Sequence, residues 1–177
     1  MTQSTDEHRE RPRILITGGS GFIGTNAVEH WLNLGFDVMN LDVKPPQNGA
    51  HRDLWLRCDI TEPSELRAAY EAFRPHYLLH LAARTDLDER RNLSGYAANI
   101  DGVRNLLDIV GPPLRRAIFA SSRMVCRIGY QPQHEDDFAP PNLYGQSKVE
   151  GERLVRSSAM NCEWVIVRPT SIWLKES

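Results

Sequence analysis

The sequence is poor in the features that would place it outside ordinary globular proteins. It has only three cysteines, Cys58, Cys126 and Cys162, widely spaced and without a Cys-x-x-Cys pair. Neither a disulfide framework nor a thiolate metal site is therefore indicated, and no metal is expected. Two of the cysteines fall in apolar, strand-like stretches, where a reduced thiol packs as a small hydrophobe. No apolar run approaches the roughly 20 residues of a membrane span. The segment 1–12 is polar and charged, without the apolar core of a signal peptide, and reads as a disordered tail. A cytoplasmic location is the resulting expectation. Long basic runs are also missing and the net charge is −2, which argues against a nucleic-acid partner. Pairs such as Arg90-Arg91 and Arg115-Arg116 read as solvated faces. There is no internal repeat and no low-complexity segment.

What remains is a chain of 177 residues, 41% hydrophobic and 25% charged, enough for one domain with a substantial core. Apolar runs alternate with helical patterns along its length. Strands are expected at Ile14–Ile16, Phe36–Leu41, Leu54–Cys58, His76–Leu81, Ala117–Ala120 and Glu163–Val167. Helices are expected at Phe22–Leu34, from a Thr61 cap through Pro63 to about Phe73, at Leu93–Val110 and at Tyr144–Ser158. Strands alternating with helices specify a parallel sheet covered on both faces, a doubly wound α/β fold of about six strands. Right-handed crossovers put the C-terminal ends of all the strands on one edge, where the ligand crevice forms.

The most informative stretch is Thr17-Gly-Gly-Ser-Gly-Phe-Ile-Gly24, between the first strand and the first helix. Gly18 and Gly21 permit a tight turn and close backbone approach, and Gly24 lets the helix pack on the strand. The unpaired N–H groups at the helix start, including those of Phe22 and Ile23, and the helix dipole suit a pyrophosphate. Asp42, at the end of the second strand, can accept hydrogen bonds from ribose hydroxyls and repels a 2′-phosphate. This favours NAD over NADP, although Lys44 nearby leaves room for NADP.

A second constellation is Tyr144-Gly-Gln-Ser-Lys148. Residues four apart share a helix face, so a phenol and an ammonium become neighbours. A cation lowers the pKa of a phenol from its usual value near 10, and a tuned Tyr can exchange a proton with a substrate hydroxyl while hydride moves to or from nicotinamide. Ser121-Ser122 ends the fifth strand at the crevice edge, where a hydroxyl can hold the reacting oxygen. His134-Glu-Asp-Asp137 reads as an acidic loop rather than a metal cluster.

Taken together these stretches resemble the extended short-chain dehydrogenase/reductase family, in particular its NAD-dependent epimerase/dehydratase branch acting on nucleotide sugars. The matching residues are Thr17–Gly24, Asp42, Asp59-Ile60, His80-Leu-Ala-Ala83, Tyr96-Ala-Ala-Asn99, Ser121-Ser122, Glu135-Asp136, Pro140–Lys148 and Arg168-Pro169. The resemblance implies a Rossmann domain over residues 13–177. It also implies Tyr144 as base, Lys148 as its pKa tuner and a ligand of the nicotinamide ribose, and Ser122 as substrate-oxygen donor. Asp59 and Ile60 would contact adenine, Ala82 and Ala83 the centre of the cofactor, and Asn99 would be a structural or relay residue. A homodimer through the helices at 93–110 and 144–158 is a further implication.

The chain departs from the family pattern at Val125-Cys126-Arg127 and at Arg123, which could reach an anionic substrate group. It departs again at Arg84-Thr85-Asp86, which should border the substrate. Family members continue well past Arg168-Pro169, so a domain truncated before its substrate-binding part is expected here. A nucleotide-sugar epimerase or dehydratase, a reductase of a small carbonyl compound, and an NAD-binding module without turnover all remain open at this point.

Overall fold

In the computed structural model of the chain, residues 10–170 are described, and the tail expected at 1–12 lies mostly outside them. Six strands form one parallel sheet: β1 (Arg13–Thr17), β2 (Asp37–Asp42), β3 (Trp55–Arg57), β4 (Tyr77–His80), β5 (Arg116–Ala120) and β6 (Glu163–Val167), in the order β3-β2-β1-β4-β5-β6. The order reverses between β1 and β4. This is the doubly wound arrangement, and its crevice opens at that reversal.

The helices are α1 (Phe22–Asn33), α2 (Pro63–Phe73), α3 (Ala97–Leu107) and α4 (Leu143–Ser157). Alternation along the strands divides them between two layers. Ile14 and Ile16 pack with Val38 against Val28 of α1 and its neighbours Trp31 and Leu32. Leu15 and Leu41 face the other way, toward Leu66 and Tyr70 of α2, Val103 and Leu106 of α3 and Val155 of α4. The six strands and helices on both faces thus agree with the sequence pattern.

Three local expectations are corrected. Thr61 does not cap α2: its N–H and hydroxyl both donate to Asp59 Oδ1, and the cap position falls on Glu62. The helix expected at 93–110 is divided into a 3-10 turn at Leu93–Tyr96 and the shorter α3. Here the Tyr96 hydroxyl donates to the Asp86 carbonyl and Arg84 Nη1 donates to that of Gly95. These bonds tie the first turn to the preceding loop. Finally, a 3-10 turn at Gly49–Leu54 takes Leu54 out of the third strand. Its His51 is buried and binds Glu29 of α1 at 2.9 Å.

All three cysteines are free; Cys58 is buried, and Cys126 and Cys162 are half-buried. No helix among the described residues is long and apolar enough to cross a membrane.

His80, at the end of β4, is buried against Phe119, with its Nδ1 2.7 Å from the Thr17 hydroxyl. Burial, with the Lys148 charge adding to it, pushes its pKa down from 6.5 to about 3. The unfolded chain binds this proton at much higher pH than the folded one. The neutral ring therefore contributes stability that is fully present above pH 6.5 and is lost as the pH falls toward 3. We expect the melting temperature to drop steeply across that window, and more shallowly in His80→Asn; equal slopes in pH-dependent thermal melts would show that His80 does not carry the effect.

Candidate active site

The C-terminal ends of the strands frame a cleft of about 680 Å³, a size suited to a cofactor. Its floor is the glycine turn. Gly18 has φ +74° and lies so close to β4 that a Cβ there would stand 2.7 Å from the Ala82 nitrogen. Only glycine combines that conformation with that approach. The Gly18 N–H donates to the Leu41 carbonyl, anchoring the turn to β2 as well. Gly21 caps α1, whose first helical bond runs from Thr25 N to the Gly21 carbonyl. The N–H groups of Phe22, Ile23 and Gly24 thus precede the ladder and carry the positive end of the helix dipole. At Gly24 a Cβ would be 2.1 Å from the Gly18 carbonyl oxygen and 2.5 Å from Gly19 Cα, so the helix reaches the turn only because that side chain is missing.

At the β2 side stands Asp42. Its Oδ2 accepts from Ser20 N at 3.1 Å and its Oδ1 from Lys44 N at 2.9 Å. Each carboxylate oxygen has two acceptor positions, so one on each remains for a ligand. Asp59 and Ile60 follow β3 and line the same end, and Ala82, Ala83, Arg84 and Thr85 follow β4 and line the middle.

The opposite wall is α4. Asn142 caps it through a 2.8 Å bond from Gly145 N, which fixes the first turn where Tyr144 sits. Tyr144 and Lys148, one turn apart, both face the cleft beside Ser121 and Ser122. Burial pushes the Tyr144 phenol above its usual pKa, and a hydrogen bond with the Ser122 hydroxyl opposes this. Lys148 Nζ donates to the Ala120 carbonyl at 3.0 Å. Burial lowers its pKa from 10.5 to about 8, with the carboxylate of Glu152 pulling the other way. The balance at Tyr144 differs from that read off the sequence: burial and Ser122 act on the phenol, while the ammonium is engaged at the end of β5.

Every residue assigned from the sequence to catalysis, to the cofactor or to the substrate lines this cleft except Arg123, which is exposed in the turn after Ser122 and donates its N–H to the Pro169 carbonyl. Arg84 lines the cleft with its guanidinium committed: Nε and Nη2 bind Asp86, and Nη1 binds Gly95 O. Asn99 accepts from Arg84 N and donates to Arg84 O and to the Ser147 hydroxyl, joining the β4 loop to α4. Sequence reasoning did not place Leu41, Val43, Cys58, Thr61, Leu81, Ala98, Ala120, Pro169 or Thr170 in the lining. Cys58 and Thr61 flank the Asp59-Ile60 pair, and Ala98 adjoins Asn99, so these could have been found by adjacency; Thr170 carried no such signal. Among the described residues no group of His, Cys, Asp or Glu side chains is placed to hold a metal ion.

A doubly wound sheet with a glycine turn at its reversal point and a Tyr–Lys helix across the crevice is a Rossmann fold of the dehydrogenase type. The chain belongs to the NAD dependent epimerase/dehydratase family, which it matches over residues 14–174. Methionine adenosyltransferase 2 subunit beta of Danio rerio is similar at 31% identity over 144 residues, covering 80% of this chain and 42% of that protein. The 3 beta-hydroxysteroid dehydrogenase/Delta 5-->4-isomerase of Mycobacterium tuberculosis is 32% identical over 183 residues, covering 93% and 48%. Among solved structures, the Bordetella bronchiseptica enzyme WbmG in complex with NAD and UDP superposes with a TM-score of 0.73 at 28% identity. That match covers 90% of this chain and 53% of WbmG. The chain spans about half the length of the relatives it matches.

Because Gly24 meets backbone atoms that cannot rotate away, Gly24→Ala is expected to cost about 1–3 kcal/mol of stability by overpacking and to abolish dinucleotide binding. Gly49→Ala, which meets nothing within 4 Å, should do neither. Urea denaturation and cofactor titration of the two variants measure the difference.

Proposed function

We propose that the chain binds NAD and forms the cofactor-binding and catalytic part of an oxidoreductase of the epimerase/dehydratase type acting on a nucleotide sugar. The observation that carries this reading is that one continuous cleft joins the glycine turn and Asp42 to Ser122, Tyr144 and Lys148. The fit to NAD rests on the two side-chain-free approaches at Gly18 and Gly24 and on the open acceptor positions of Asp42. The same carboxylate would repel the 2′-phosphate of NADP. A UDP complex of WbmG supports a nucleotide sugar as the substrate class.

In this reading the turn and the N–H groups of Phe22, Ile23 and Gly24 hold the pyrophosphate, and Asp42 holds the adenosine ribose. Asp59 and Ile60 border the adenine, and Ala82 and Ala83 the centre of the cofactor. A bound nicotinamide would supply hydride acceptance and return for a sugar carbon. Tyr144 exchanges the proton of the reacting hydroxyl, Ser122 holds that oxygen, and the Lys148 ammonium would hold the nicotinamide ribose. Arg84 serves as a wall whose guanidinium is already bound, Thr85 remains available to a substrate, and Arg123 lies outside the cleft. The neighbouring helices α3 and α4 fit the homodimer implied by the family resemblance, and a cytoplasmic location fits the same reading.

NAD should raise the melting temperature, by the equivalent of about 2.7 kcal/mol at a hundredfold excess over its Kd; no shift at millimolar NAD would sink the binding assignment. Tyr144→Phe should remove turnover of a nucleotide sugar while leaving NAD binding within about twofold, since the hydroxyl acts on the proton and not on the cofactor. Turnover that survives in that variant would take Tyr144 out of the mechanism.

A further inference from the structure

Asn40 is fully buried in β2, on the face that Val38 presents to α1. Its carbonyl oxygen Oδ1 meets no hydrogen-bond donor. A valine or leucine would fill such a strand position without leaving a polar atom unpaired, so the amide costs stability where it stands. Rule-breaking of this kind concentrates at functional sites. What the amide does is visible on its other end: Asn40 Nδ2 donates to the Ser20 hydroxyl at 3.0 Å. Its Oδ1 lies 2.3 Å from the point where a Gly19 Cβ would stand, so the turn rests directly on the amide. Ser20 in turn donates its N–H to Asp42 Oδ2 at 3.1 Å. Ser20 is therefore gripped twice from β2, by its hydroxyl through Asn40 and by its backbone through Asp42.

We propose that Asn40 and Ser20 are positioning residues that lock the pyrophosphate-binding turn to the ribose-binding carboxylate Asp42, so that the phosphate and adenosine ends of the cofactor site act as one unit. The inference rests on the NAD reading of this cleft. Asn40 is buried beneath the turn and does not line the cleft. It sets the height of the turn above β2 and, through Ser20, the direction of the Asp42 carboxylate. Loss of the clamp lets the turn lift from the phosphates and lets Asp42 rotate away from the place where a 2′-phosphate would come. Both the strength of NAD binding and the preference for NAD over NADP follow from this pair.

The test uses the full chain and the variants Ser20→Ala, Ser20→Thr, Asn40→Leu and Ser20→Ala/Asn40→Leu. Each is titrated with NAD, with NADP, and with adenosine, which offers its ribose to Asp42 but carries no phosphate. Ser20→Ala and Asn40→Leu should each weaken NAD by about tenfold, as expected for loss of one hydrogen bond beneath the turn, with adenosine, which feels only the turned Asp42 and not the lifted turn, weakened less, by about threefold. The preference for NAD over NADP should narrow. The double variant should be no weaker than the poorer single one, because either change removes the same interaction, and Ser20→Thr, which keeps the hydroxyl, should restore NAD to within about twofold. Unchanged NAD affinity in Ser20→Ala overturns the proposal, and so does a parallel loss of NAD and adenosine, which a merely structural role would give. Should Asn40→Leu fail to fold, Ser20→Ala and Ser20→Thr decide the question alone. Failure of the unaltered chain to take up NAD is a different result: it removes the proposed function and this inference with it.

Discussion

The structure depends on a contact made by an atom that is not there. Gly18 leaves β1 with a positive φ and passes the start of the β4 loop at a distance that no Cβ could occupy. Because β1 and β4 are adjacent where the strand order reverses, this approach brings the glycine turn and the Ala82-Ala83 backbone to the two sides of one crevice. The second such contact, Gly24 on Gly18, brings the beginning of α1 into the same place. Close backbone packing puts unpaired N–H groups and a helix dipole where an anion can meet them. The rest of the sheet and its helices hold that meeting point in position.

The crevice is built from two halves, each braced by a buried polar network. On the β2 side, Asn40, Ser20 and Asp42 connect strand, turn and carboxylate. On the α4 side, Glu152 is almost wholly buried and accepts hydrogen bonds from Ser121 Oγ at 2.5 Å and from Arg168 Nε at 2.7 Å and Nη2 at 2.6 Å. It lies one turn after Lys148 on the same helix. Its carboxylate therefore joins the end of β5, the start of the segment after β6 and the helix that carries Tyr144. A buried ion pair gains little net stability over apolar packing; the geometry here uses it to fix three chain segments around Ser122, Tyr144 and Lys148.

The larger part of the architecture could be read in the sequence because its signals are local. Apolar runs such as Ile14–Ile16 mark strands, the Phe22–Leu34 pattern marks a helix, and the glycines between them mark the turn. Residues at strand ends fall on one edge by the handedness of the crossovers, which is why the pattern alone places Asp42, Asp59, Ala82 and Ser122 at the crevice. The failures were also physical. The helix expected from Leu93 onward is broken because Tyr96 and Gly95 bond to a loop several residues back, and periodicity does not report such bonds. Thr61 fitted a cap by composition, yet Asp59 two residues earlier captured its donors. Arg84 was expected to border the substrate and Arg123 to reach an anionic group; only the folded chain shows one bound in place and the other at the surface.

By itself the sequence determined the doubly wound sheet, the position of the glycine turn, the acidic strand end beside it and the Tyr144–Lys148 pair, since each follows from spacing along one element or from the rule that parallel strands end together. The tertiary structure decided what surrounds those groups. It set Lys148 against the Ala120 carbonyl, placed Ser122 beside the phenol, and raised the Tyr144 pKa by burial. It also put an Asn40 amide with an unpaired oxygen beneath the glycine turn. Those outcomes depend on which residues from distant segments share a buried volume. Burial and hydrogen-bond partners are properties of that shared volume, and no local pattern in the chain encodes them.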